Sequence, residues 1–330
     1  MRPRWPVLAL LLLAPAIPEL LTGSTPITPI VTDPPAFAVS LLGDIGLYGT
    51  GALLIREFAV AYRKGWASIL LLGAAYGIAE EGFAVHTFFE PSGAPVGALG
   101  SYGHLFGVNW LWALGLTVFH STYSIALPIL LTQLWFPAAK DVRWLDRGLV
   151  ALVAFVYGSE VALFSVVVGH GPTPAALAFF LGVVAVLLGL AYRAPASLLA
   201  VRPGPRRIGR LGLALAGTLE FDAWFGVLLL SGSRVVPAFA AAALVVVANL
   251  AALGLILRRV GGEDLDRSKF YFAVGMISIL FVFDGFVEFS VPGILAVSAL
   301  FAYLLFRLGR TLDRRAAFPG PPRAFGPPGS

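Results

Sequence analysis

Residues 71–91, LLGAAYGIAEEGFAVHTFFEP, carry two adjacent carboxylates, Glu80 and Glu81, in the middle of an apolar run. Residues 109–137, NWLWALGLTVFHSTYSIALPILLTQLWFP, carry His120 inside a second one. Each run is long enough for a helix that crosses about 30 Å of hydrocarbon, which takes about 20 residues. Ionisable side chains at such depth are costly, so they turn toward a bundle interior and mark a site. The two runs therefore predict neighbouring transmembrane helices with a polar centre between them.

The rest of the chain agrees with a membrane setting. Of 330 residues 58% are hydrophobic and only 12% charged, with a mean hydropathy of +0.86. That composition is too apolar for an ordinary soluble domain. There are no cysteines, which excludes disulfides, thiolate metal sites, iron–sulfur clusters and cysteine nucleophiles. The fold class predicted is all-α: a polytopic integral membrane bundle of about ten transmembrane helices.

Taken in order, the predicted spans are 5–21, 36–56, 67–89, 109–136, 149–169, 173–192, 211–231, 236–257, 270–289 and 292–306. The first follows Arg2 and Arg4. Its Ala14-Pro15-Ala16 end also resembles a signal-peptide cleavage site, and the reading adopted is an uncleaved helix. With this layout all but one of the 23 Lys and Arg fall on one side of the membrane, the exception being Arg234. The positive-inside rule makes that side cytoplasmic and places both termini there, in a cell membrane. The net charge of +5 and pI near 9.7 then need no nucleic-acid partner; the partner expected is the lipid bilayer, with a small-molecule, ionic or membrane-embedded substrate. Residues 1–310 read as the bundle, with the basic linker 193–210 as a candidate boundary between sub-bundles 1–193 and 211–310. The Pro/Gly-rich tail 311–330 is predicted to be disordered.

Within the central pair, Gly73, Gly77 and Glu81 recur every four residues and share a face along which another helix can approach closely. Glu80 is expected about 100° away, on the side of Tyr76. Thr117, His120 and Ser124 form a polar stripe on the next helix. Further acids lie deep in later spans: Glu160, Glu220 with Asp222, and Asp284 with Glu288. His86 and His104 read as outer-interface residues, His170 as a loop residue, and Arg56-Glu57 as an interfacial charge cluster.

Three functions are compatible with this pattern. The leading one is a proton- or cation-linked transporter whose path runs past Glu80, Glu81, His120, Ser124, Glu160, Glu220 and Asp284, since acids without cations on several helices are a mark of proton and ion paths. The alternative is an intramembrane hydrolase in which Glu80, Glu81 and His120 are catalytic and activate water; a metal requirement is left open, since one histidine with carboxylates is a thin zinc set. The third is a non-catalytic scaffold whose acids only join helices. Convergence of Glu80, Glu81 and His120 favours hydrolysis, and a continuous polar path past the later acids favours transport. Phosphate-loop, dinucleotide, HExxH and GxSxG motifs are absent from the chain.

Two resemblances follow from quoted residues. PELLTGSTP, LYGTGALLIREFAVAYRKGWASILLLGAAYGIAEEGF and GVNWLWALGLTVFHSTYSIALPILL together resemble a group of multi-pass prokaryotic membrane proteins of unassigned function, over roughly the first 140 residues. The pair Glu80-Glu81 with His120 also resembles the CAAX-protease and bacteriocin-processing family of intramembrane glutamate peptidases. That resemblance implies a water activated by Glu80 or Glu81 with help from His120. Val85 stands where the family has Arg, Leu116 where it has Phe, and no second intramembrane histidine follows.

Overall fold

The computed structural model describes residues 4–89, 102–169, 171–200, 208–231, 236–259 and 265–317, with all helix side chains except 220–224, 227–231, 252 and 255–259. The tail beyond 317, His170, Arg234 and the side chains of Glu220 and Asp222 lie outside the described residues.

Every predicted span coincides with a helix. α1 runs Arg4–Pro15 and continues through a π-helical turn, Ala16–Leu20. There follow α2 (Pro34–Ala61), α3 (Trp66–Ala84), α4 (Trp110–Trp135), α5 (Arg147–Val168) and α6 (Pro174–Arg193). The chain ends with α7 (Arg210–Ser231), α8 (Ala238–Arg259), α9 (Leu265–Val287) and α10 (Ile294–Ala317). Among the described residues, seven of these, α2 to α6 with α9 and α10, are long and apolar enough to cross a membrane by length and composition. A two-residue hairpin, His104–Leu105 with Val108–Asn109, precedes α4.

The starts are local chemistry. Asp33, Asn109, Asp146 and Thr173 each accept a hydrogen bond from the amide three residues ahead, at 3.1, 3.2, 2.8 and 3.3 Å for Asn109, Asp33, Asp146 and Thr173 respectively, satisfying a donor that the first helical turn leaves free. α5 ends on Gly169, whose φ of 76° is the left-handed cap conformation. α10 runs eleven residues past the predicted end at 306, because a stretch too charged to lie in hydrocarbon, RLGRTLDRR, still has good helix formers. α9 likewise begins before the predicted residue 270, so Lys269 lies inside a helix.

Apolar side chains face outward on the peripheral helices: Phe155 and Val166 of α5 are 72% and 78% exposed. In water such a surface invites association, whereas in a bilayer it is the lipid contact. The interior is joined where glycines permit. A Cβ on Gly73 would sit 2.8 Å from the Ser121 Cα, and one on Gly77 2.9 Å from the His120 Cβ; this is the small-residue face expected between α3 and α4. Gly217 and Gly275 do the same for α7 and α9, where a Cβ would meet Phe272 O at 2.1 Å and Ala214 O at 1.8 Å. Gly77→Ala is therefore expected to push α3 from α4 and cost about 1–3 kcal/mol, the range for overpacking a closed interior. A thermal melt in detergent measures it, and an unchanged melting temperature would contradict the packing.

Arg56 and Glu57, expected at the interface, are instead 1% and 2% exposed. The guanidinium reaches Glu57 Oε1 at 2.5 Å, donates to the carbonyls of Ala139, Lys140 and Val142, and lies 3.6 Å from the Trp144 ring centre. Glu57 accepts from the backbone amides of Trp144 and Leu145 at 3.0 and 3.3 Å. The pair is a clamp that holds the α4–α5 loop against α2.

Candidate functional site

Four π-helical turns bring the polar side chains together. Ala16–Leu20 carries Glu19, Ile45–Gly49 carries Tyr48, Ala79–Ala84 carries Glu80 and Glu81, and His120–Ala126 carries His120 and Ser124. Their mark is a backbone bond across five residues, as from Leu21 N to Ala16 O and from Val85 N to Glu80 O, both 2.9 Å. Such turns are rare and gather at functional sites. They also hold more residues per turn, so successive side chains rotate by less than the roughly 100° of an α-helix. That corrects the expected divergence of Glu80 and Glu81, because both reach the same ring nitrogen.

His120 Nε2 lies 2.9 Å from Glu81 Oε1 and 2.9 Å from Glu80 Oε2. Its single hydrogen is aligned with Glu81, which leaves Glu80 Oε2 buried without a hydrogen-bond partner. On the other side of the ring, Nδ1 is 2.9 Å from Ser124 Oγ. With Nε2 donating, a neutral ring accepts the Ser124 hydrogen, and an imidazolium donates to it. The second oxygen of Glu81 accepts from the Thr87 hydroxyl, itself 3.3 Å from Trp112 Nε1. Asp44, Tyr48, Glu80, Glu81, His120 and Ser124 are all 8% exposed or less.

The centre continues beyond the residues predicted for it. Tyr48 Oη stands 2.8 Å from Glu80 Oε1 and 2.5 Å from Glu19 Oε1, and Thr25 Oγ1 stands 3.0 Å from Glu19 Oε2 and 3.2 Å from Asp44 Oδ2. Asp44, Glu19, Glu80 and Glu81 thus form a row, linked in turn by Thr25, Tyr48 and His120. A hydroxyl has one hydrogen and a carboxylate has none. At the Thr25 and Tyr48 junctions, one flanking carboxyl must therefore bring a proton of its own for both contacts to be hydrogen bonds. No Lys or Arg pairs with the row among the described residues, so protons or a bound cation must offset its charge.

Glu19 obeys the rule that singles out Glu80, an acid in an apolar helix without a cation, and was legible on that ground. Tyr48 and Thr25 carry no such signal. Glu160 packs its carboxyl against Gly46, where a Cβ would lie 2.7 Å from Oε1, but no hydrogen bond joins it to the row among the described residues. Asp284 accepts from Ser298 Oγ of α10, apart from the centre. Glu288 accepts hydrogen bonds from the amides of Gly293 and Leu295, both at 2.9 Å, which makes it a cap for α10. His86, expected at the interface, is buried and lies 3.2 Å from Ser165 Oγ.

As a metal site, Glu80, Glu81 and His120 each offer one ligand atom, all within 4.8 Å of one another. One imidazole with two carboxylates leaves coordination positions open for water. Tyr48→Phe removes the hydroxyl that bridges Glu19 and Glu80, leaving buried polar atoms unpaired at a cost of about 1–3 kcal/mol. The infrared band of protonated carboxyl groups should shift in this variant; an unchanged band would contradict the shared-proton junction.

Fold and centre define a polytopic membrane protein with a buried carboxylate–imidazole cluster. The chain belongs to an uncharacterized membrane protein family, whose model matches residues 8–312. The match extends well past the 140 residues that carry the resemblance. Neither a curated protein nor a solved structure matches the chain.

Proposed function

We propose that the protein is a membrane-embedded hydrolase, resident in a cell membrane, in which Glu80, His120 and Glu81 activate water. The observation that carries this reading is Glu80 Oε2, buried in ion-pair contact with His120 Nε2 at 2.9 Å yet accepting no hydrogen bond. A buried acceptor without a donor is a place for a water proton. Tyr76 Oη, on a ring 6.1 Å from the imidazole, is likewise unpartnered and offers a second contact. In the proposed step Glu80 takes a proton from water, the oxygen attacks an acyl carbon of a membrane-embedded ester or amide, and the bond to the leaving oxygen or nitrogen breaks as that atom receives the proton. Glu81, satisfied at both oxygens by His120 and Thr87, orients the imidazole as the third member of such sets does. The resemblance to intramembrane glutamate peptidases supports the same roles. Where that family has Arg and Phe this chain has Val85 and Leu116, and the anchoring falls to Thr87, Ser124 and Tyr48.

The row from Asp44 to Glu81 favours a second reading, proton-linked transport, because alternating carboxyls and hydroxyls pass protons along. Vesicles holding wild-type protein and the membrane lipids and proteins of the expression host separate the two. Release of cleaved products without pH-driven proton flux supports hydrolysis. Flux that Glu80→Gln abolishes, with no product, replaces it by transport. Loss of product on chelation, restored by a divalent ion, would add metal to the hydrolytic centre.

A further inference from the structure

A cavity of about 390 Å³ opens on the Lys/Arg-rich side, lined by Arg56, Arg63, Lys64, Lys140 and Lys269 against two carboxylates, Asp141 and Asp266. A second cavity of about 360 Å³ runs into the bundle between α3, α4, α8 and α9, lined by Leu70, Leu127, Leu250, Leu253, Phe272 and Met276 among others. The two share Trp66, Leu130 and Lys269. At the junction the Lys269 ammonium lies 5.8 Å from the Trp66 ring centre. Leu250, 63% exposed, opens the apolar cavity toward the bilayer.

The cations of this cavity are not all engaged. Arg56 is committed to Glu57 and the loop carbonyls, and Lys64 to the carbonyls of Tyr192 and Ala194. Arg63, Lys140 and Lys269 form no ion pair among the described residues. Arg63 also holds a left-handed backbone conformation, φ 52°, at the end of α2, which glycine would adopt without strain. A basic chamber joined at a tryptophan and a lysine to an apolar, bilayer-facing cleft matches one kind of molecule, an amphiphile with an anionic head.

We infer that this pair of cavities is a binding site for one anionic phospholipid of the leaflet on the basic side, which the charge rule makes cytoplasmic. The phosphate sits among Arg63, Lys140 and Lys269, and an acyl chain lies in the cleft beside Leu253 and Met276. Basic pockets between transmembrane helices on that side suit phosphate head groups, and the Trp66 ring belongs at the same depth as an interfacial anchor. Glu80, Glu81 and His120 line neither cavity, and the assignment does not depend on their chemistry.

Native mass spectrometry of the full chain in neutral detergent tests this with phosphatidylglycerol, phosphatidylcholine of the same chains, and inorganic phosphate. Phosphatidylglycerol is expected to be retained in preference to phosphatidylcholine, and phosphate not to displace it. Lys269→Gln is expected to weaken phosphatidylglycerol about fivefold, the effect of one cation near a lipid phosphate. Leu253→Trp, which fills the cleft, should weaken both lipids. The melting temperatures of both variants without lipid control for misfolding. Equal retention of phosphatidylcholine, displacement by phosphate alone, or indifference to Lys269→Gln in a folded variant would each overturn the assignment.

Discussion

Glu80→Gln is expected to lower hydrolytic turnover by about 10²–10⁴-fold, the usual contribution of a positioned general base. The amide keeps the shape of the side chain and an oxygen for the Tyr48 hydroxyl at 2.8 Å, but its nitrogen end cannot take a proton from water. The loss should therefore fall on kcat, with the melting temperature near that of wild type. Glu81→Gln separates the roles of the two neighbours. Its amide oxygen still accepts from His120 Nε2, so this variant should retain more activity than Glu80→Gln. The reverse order would exchange the assignments of base and orienting residue. Equal, full activity in both would leave the cluster a structural one.

Arg56→Ala is expected to destabilise the protein by about 3–5 kcal/mol, because it leaves the buried Glu57 with only the half-exposed Arg143, 3.8 Å away, as its cation. Three loop carbonyls and the face of Trp144 lose their partner in the same step. The α4–α5 loop should come free of α2 and become open to proteolysis near Lys140 and Arg143. Arg56→Ala with Glu57→Ala should cost less than the two single changes together, since the double variant strands no charge. The comparison is Arg267 with Asp313, at 2.5 Å but with the aspartate 52% exposed, where about 0–1 kcal/mol is expected. A melting temperature shifted no more by Arg56→Ala than by Arg267→Ala would show that burial is not what gives the Arg56 pair its weight.

The helices were legible because each depends on neighbours in sequence. Length, apolar content and caps such as Asp146 and Thr173 act within one turn or one span, and charge placement alternates from loop to loop. Span ends were less legible. α9 and α10 extend through charged residues that end a hydrophobic run without ending a helix. The Arg56-Glu57 pair looks interfacial in sequence because nothing adjacent in the chain announces that residues 139–145 fold back over it.

The centre divides in the same way. That Glu80, Glu81 and His120 belong to a polar site follows from the cost of an ionisable group in hydrocarbon, a property of each residue in its own segment. An all-helical membrane bundle, and the helices that carry its polar centre, thus follow from residues read in chain order. It takes the packing of the helices to bring both glutamates to one nitrogen and to join Tyr48 and Thr25 to Glu19 and Asp44; among the described residues no hydrogen bond links Glu160 or Asp284 to them. The reason is physical. Side-chain direction at this depth is set by π-helical turns and by the close approach of α3 to α4 at Gly73 and Gly77, and both are products of helix packing against helix.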